Sequence, residues 1–368
     1  MMKLQMLALA AFPLAFACAT IGAASASPSG TAGPSPEYRP AAPGWRVSAR
    51  EDVDLWLHGF AMLTSDTGRV PFFARGYKQA MLARKRQQHV VTLLDANQQT
   101  LSARFAANPA LTNAQFLAMY FPSFQEIVNA TDRFIRSGGD PRAASDPQMQ
   151  QEIALLAGNF PSPADRNWLR LFVQSLQDEQ SKFYHAYWTA EQQARGAAYA
   201  QFNTEWMSTY YPKLSRFLNN TQQASGEVLL SLPLGGEGRT VNDGKQSNTI
   251  AVEFPASPDS AVDAFYAFAH EAVATIVAQA ITDNTTPAEQ RSGVTGGYTG
   301  NGAVRGGALL LQHVAPNLAP GYMRYYLRIT GTAVPAGDPT AAFESEFPLP
   351  AAIVKAVSSQ IDIVLSGI

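Results

Sequence analysis

Apolar residues recur at three- and four-residue steps along much of this chain, most densely in AVDAFYAFAHEAVATIVAQAIT, residues 261–282. Val262, Phe265, Tyr266, Ala269, Val273, Ile276, Val277 and Ala280 draw one apolar stripe. Ala264, Ala267, Phe268, Ala274 and Ala278 line the opposite side. A helix that is apolar all round belongs in a core. Ser257-Pro258-Asp259 supplies a cap, a proline suited to the first turn and an early carboxylate, so the spacing predicts one buried helix over 259–282.

Two Val-, Leu- and Ile-rich stretches precede it, GEVLLSLPL (226–234) and NTIAVEF (248–254). They flank a Gly- and Asn-rich connection and predict two strands packed beside that helix. From Trp45 to about Thr221 the pattern is helical almost throughout, with candidates at 49–64, 71–88, 89–107, 113–136, 147–158, 163–195 and 197–221. Ser48-x-x-Glu51 reads as a capping box for the first of these. Pro122 and Pro212 are expected to kink or break their segments. Glycines crowd 293–307 and predict a mobile loop; helices are expected again at 303–314, 318–330 and 349–365. The fold class is therefore mainly α (α+β). An irregular helical domain is expected over 45–225, and a domain with a small antiparallel sheet over 226–368.

Between Asp263 and Asp283 the only acidic or basic side chains are His270 and Glu271. A carboxylate inside an apolar helix costs free energy unless something pairs with it. A His-Glu pair on a buried helix that follows strands resembles the active helix of zincin metallopeptidases, of the type with a glutamate as third ligand. Their HExxH motif sets two metal-binding histidines one turn apart, with the glutamate as general base. Here the motif is HEAVA: His270 matches the first ligand, Glu271 the base, and Ala274 stands where the second histidine belongs.

The resemblance implies a third ligand on a later helix, about a score of residues past the second histidine position. Gly293 and Val294 fall there, with Glu289 slightly early and His313, Glu344 and Glu346 further on. Each has a plain alternative: Glu289 as a first-turn residue after Pro287, His313 at a helix end, Glu344 and Glu346 facing solvent. The pair itself could be satisfied by Arg305, Tyr322 or Arg324. His58, His89 and His185 lack ligand spacing and read as structural. No G-x-S-x-G elbow or thiol motif offers a nucleophile.

Composition narrows the classes further. Charged residues are 15% and hydrophobic ones 46%, which suits a packed core and excludes a disordered chain. The formal net charge of -2, with no block of like charges, argues against nucleic acid as a partner. Lys3, the apolar run Leu4 to Ala17 and Ala24-Ser25-Ala26 form a secretory signal over 1–26, followed by a Pro/Gly/Ser-rich leader over 27–44. A lipid anchor at Cys18 is the weaker alternative, because Ala15 and Phe16 do not fit the usual attachment signal. No transmembrane span is expected in the exported protein.

Three functions follow as expectations. The first is an exported, catalytically inactive zincin-like protein that binds a protein or peptide partner or serves structure, with no cofactor. The second is an active metallopeptidase holding zinc through an unorthodox ligand set. The third is an unrelated exported helical protein that binds a ligand or partner.

Overall fold

The computed structural model describes residues 44–64, 68–242 and 247–367. The expected signal, Cys18 and the leader up to residue 43 lie outside the described residues. A short strand, β1 (Trp45–Ser48), comes first. Then follow α1 (Glu51–Leu63), α2 (Tyr77–Gln88), α3 (Leu93–Ala107), a 3-10 segment (Pro109–Tyr120), α4 (Phe124–Arg136), α5 (Pro147–Asn159) and α6 (Pro163–Glu179). A π turn (Gln180–Tyr184) leads into α7 (His185–Ala194), and a second (Trp206–Tyr210) lies between α8 (Gly196–Glu205) and α9 (Tyr211–Asn220). Local chemistry sets these starts. Thr92 with Asp95 and Ser162 with Asp165 form capping boxes on α3 and α6, and Pro147 and Pro163 sit in first turns where no N–H is needed. Ser48 caps nothing: it belongs to β1 and donates to Glu227, and Arg50 precedes α1 without a side-chain cap.

The strands β2 (Ser225–Ser231), β3 (Arg239–Asn242) and β4 (Ser247–Glu253) join β1 in one sheet of order β1-β2-β4-β3. The sheet is mixed rather than antiparallel. β1 runs parallel to β2 (Val47↔Val228), and β2 runs parallel to β4 (Val228↔Ile250). Only β3, which lies within the long connection, runs antiparallel, with Thr240 opposite Ile250. The physical reason is burial: Val228, Leu229 and Leu230, like Ile250, Ala251 and Val252, are buried in succession, as strands covered on both faces must be.

The apolar helix forms as expected: after a 3-10 turn (Pro258–Ser260), α10 runs from Ala261 to Asp283. By length and hydropathy Pro258–Asp283 could cross a membrane, and here its faces are taken up by protein. It packs against β4, α8, and three of the elements that follow: α11 (Pro287–Ser292), α12 (Val294–Val314), α13 (Ala319–Thr330), α14 (Thr340–Glu346) and α15 (Ala351–Ser366), with α12, α13 and α15 its neighbours. Phe265 stacks on Tyr210 at 4.1 Å between ring centroids, and Phe268 meets Trp206 and Trp45 edge-on at 4.6 and 5.0 Å.

The glycine-rich segment is helix, not loop. Its glycines let α12 close on α10: a Cβ at Gly306 would stand 2.5 Å from Val277 Cγ2, and one at Gly302 would meet Val277 and Ile281 inside 3 Å. Each helical glycine costs up to about 1 kcal/mol against alanine, a cost that close packing overcomes. At Gly300 nothing lies within 4 Å of a Cβ position. Gly300→Ala is therefore expected to raise stability by about 0.5–1 kcal/mol. Gly306→Ala, forced into Val277, is expected to lower it by about 1–2 kcal/mol. Urea unfolding of the two variants against the parent checks the opposite signs.

Candidate functional site

β4 passes through Phe254 and Pro255 into the turn before α10, which carries His270 and Glu271 on the side facing β3. Both side chains are buried, at 6% and 8% exposure. Thr240 on β3 donates from Oγ1 to Glu271 Oε2 at 3.2 Å. Oε1 lies 3.3 Å from Nδ1 of His270, near enough for attraction but not aligned for a hydrogen bond. Burial pushes the Glu271 carboxyl up; His270, the Arg239 guanidinium and the Thr240 hydroxyl outweigh it and hold the carboxyl below its ordinary value of 4.5. Arg239 in turn lies over the rings of Phe116 and Phe72, at 4.6 and 5.7 Å from their centroids.

The backbone that leads into β3 lies over the stem of Glu271 at Gly238. Residues Leu232, Pro233, Leu234, Gly235, Gly236 and Gly238 are all buried. A Cβ at Gly238 would stand 2.9 Å from Glu271 Cγ and 2.6 Å from Ala251 O, so glycine is what lets this segment lie on the carboxylate's stem. A strap from the helical half fastens this segment: Gly235 N–H donates to Phe72 O at 2.8 Å, Glu237 N–H to Pro71 O at 3.0 Å, and Ala74 N–H to Pro233 O at 2.9 Å. Tyr326, whose ring lies 5.6 Å from the His270 ring between centroids, donates its hydroxyl to Gly236 O at 3.2 Å. No family model, curated protein or solved structure matches this chain.

The other expected ligands are engaged elsewhere. Glu289 completes a capping box with Thr286 at the start of α11. Nε2 of His313, near the end of α12, lies 3.5 Å from Asp362 on α15. Glu344 takes Arg305 at 2.9 Å, and Glu346 takes Arg69 at 3.4 Å, so neither simply faces solvent. Among the described residues no three His, Cys, Asp or Glu side chains gather as a metal-ligand group. Nor do the three expected partners bond the pair. Arg305 goes to Glu344, Arg324 to the carbonyls of Pro335 and Gly337, and Tyr322 to Val304 O. Glu271 is satisfied instead from β3, a strand only four residues long that the sequence pattern does not mark.

A second buried polar group, missed in the sequence, lies in the helical half. His58 on α1 accepts from or donates to Tyr77 at 3.1 Å through Nδ1, and its Nε2 lies 3.0 Å from Glu179. Glu179 also accepts from Lys85 Nζ at 2.7 Å and from Thr92. Lys85 reaches Asp95 at 2.9 Å as well. Burial lowers the His58 imidazole below its ordinary range, which leaves it neutral, with Nε2–H donating to Glu179 and Nδ1 accepting from Tyr77. For Glu179, burial alone would raise the carboxyl; His58 and the Lys85 ammonium reverse this and bring it down to about 2. The π turn that begins at Gln180 directly follows this carboxylate. The only sequence signal is a glutamate ending an otherwise apolar helical face.

Glu179 joins α1, α2, α3 and α6, and truncating it takes a partner from His58 and leaves the buried Lys85 ammonium with Asp95 as its remaining carboxylate. Glu179→Ala is expected to cost about 1–3 kcal/mol in denaturant unfolding at neutral pH. Because its folded value lies below the unfolded 4.5, its contribution is present above 4.5 and is lost as pH falls towards about 2. The difference between parent and variant should therefore shrink as pH drops through that window.

Proposed function

We propose that this protein is an exported, catalytically inactive zincin-like protein that works as a binding or structural component. The surroundings of Glu271 carry this reading. A general base of a metallopeptidase must reach a metal-bound water. Here Gly238 presses on the stem of Glu271, Thr240 holds one carboxylate oxygen, and Glu271 itself is buried. Ala274 adds to it, since one imidazole without its partner one turn on leaves zinc short of the three protein ligands a catalytic site uses. The zincin-like part rests on the order of elements: strands, then a buried helix with His-Glu at its middle, packed against the sheet.

Elemental analysis after dialysis against a weak chelator tests the reading. The parent is expected to hold no stoichiometric zinc, and Ala274→His to bind it more tightly than the parent. About one zinc per chain in the parent, lost on His270→Ala, overturns the inactive reading in favour of a working metallopeptidase.

Export is tested separately. The charged start, apolar run and Ala24-Ser25-Ala26 support a mature N-terminus at Ser27. Intact-mass measurement of the processed protein should show a chain beginning there. A lipid-modified Cys18 would shift the assignment to a membrane-anchored protein, and retained Met1 would remove export.

A further inference from the structure

Away from the His270–Glu271 pair, a cavity of about 610 Å³ opens between α12, the end of α14 and the first turns of α15. That volume lies in the range of small-ligand sites. Its polar end is Arg305, whose side chain is only 10% exposed. The guanidinium lies 6.0 Å from the centroid of the Phe343 ring and donates to Glu344 Oε1 at 2.9 Å and to Phe347 O at 3.5 Å. Glu344 approaches from the open side and is 53% exposed. Leu309, Leu349 and Val354 form the apolar wall, and Lys355 stands at the rim.

We propose that this cavity binds a small amphipathic carboxylate, its headgroup on Arg305 in place of Glu344 and its apolar chain along Leu309, Leu349 and Val354. The argument is one of complementarity. A planar guanidinium held between an aromatic ring and backbone is prepared for a carboxylate, and Glu344 already shows one seated there. Glu344 comes from a short helix and keeps half its side chain in water, so giving up this contact returns it to solvent at little cost. A phosphate dianion would ask for more than one buried cation, whereas Lys355 is exposed at the rim. Beyond Arg305 the lining offers Leu309, Leu349 and Val354 to an acyl chain, with Ser358 and Ser359 also on the lining. The site is independent of any role of the His270–Glu271 pair.

Isothermal titration of the full exported chain with octanoate, below its micelle concentration, tests this, with octanol as the matched neutral probe. Octanoate is expected to bind saturably, and octanol at least about tenfold more weakly, the cost of losing a charge-assisted hydrogen bond. Lys355→Gln should weaken octanoate modestly and Arg305→Gln strongly. Because Arg305 is buried, its variant is read only if circular dichroism shows the parent fold. Glu344→Gln does not depend on that condition: it removes the internal competitor and should tighten octanoate several-fold. No saturable octanoate binding, equal binding of octanol, or a Glu344→Gln affinity unchanged or reduced would each overturn the proposal.

Discussion

A carboxylate taken out of water must be given back what water supplied, and the architecture is shaped by where this chain does so. The effective penalty for burying an unpaired ion is several kcal/mol, comparable to the whole stability of a domain. At Glu179 the compensation comes from Lys85, Thr92 and His58, which draws three other helices onto α6. At Glu271 it comes from Thr240 and Arg239, which fixes β3 across α10. Asp54 shows the opposite outcome. It is fully buried and takes N–H donors from Leu232 and Trp188. Burial dominates there, and the carboxyl is pushed up to about 7. With a cation beside it the buried carboxyl stays ionised; without one it leans to the neutral form.

Around these fixed points the packing is arranged by side-chain size. α10 presents Phe265 and Phe268 to the aromatic cluster of Tyr210, Trp206 and Trp45, and Val273, Val277 and Ile281 to the glycines of α12. Large residues meet large rings on one side, and branched aliphatics meet bare backbone on the other. Trp206 and Tyr199 also donate to the carbonyls of Trp45 and Val47, so helices of the first half cover the outer edge of β1. An edge strand left open is a template for unwanted pairing, and here it is closed by two side chains.

What the sequence made legible was the period of burial. The α10 pattern, the two apolar strands and most helices stand out because each repeats its own burial along the chain. What it concealed depends on partners far away in sequence. β1 is four residues long and pairs with a strand about 180 residues later, as Trp45↔Gly226 shows. Nothing in VLLS or IAVE tells whether the two run parallel, and the intervening β3 is too short to announce itself. The first turns of the helix over Val294–Val314, ahead of the expected 303–314, were hidden by glycine propensity, which packing against Val277 overrides. For the candidate site, His270 and Glu271 were visible as charges in an apolar run. Their surroundings were not, because Gly238, Thr240 and Phe72 carry no mark of what they will touch.

The surroundings of Glu271 also explain how a carboxylate can sit at the middle of this apolar helix. In an open site, Glu271 would be a carboxylate beside one imidazole with no other partner. Here Thr240, Arg239 and the His270 ring satisfy it, so the pair is stable as core with no metal required of it. The strap from Pro71 to Ala74 holds that arrangement from the other half of the chain through three backbone hydrogen bonds. An imidazole at position 274 would add a metal ligand, while Gly238 would still press on the stem of Glu271. The geometry therefore separates metal affinity from catalysis, and a gain in the first need not bring the second.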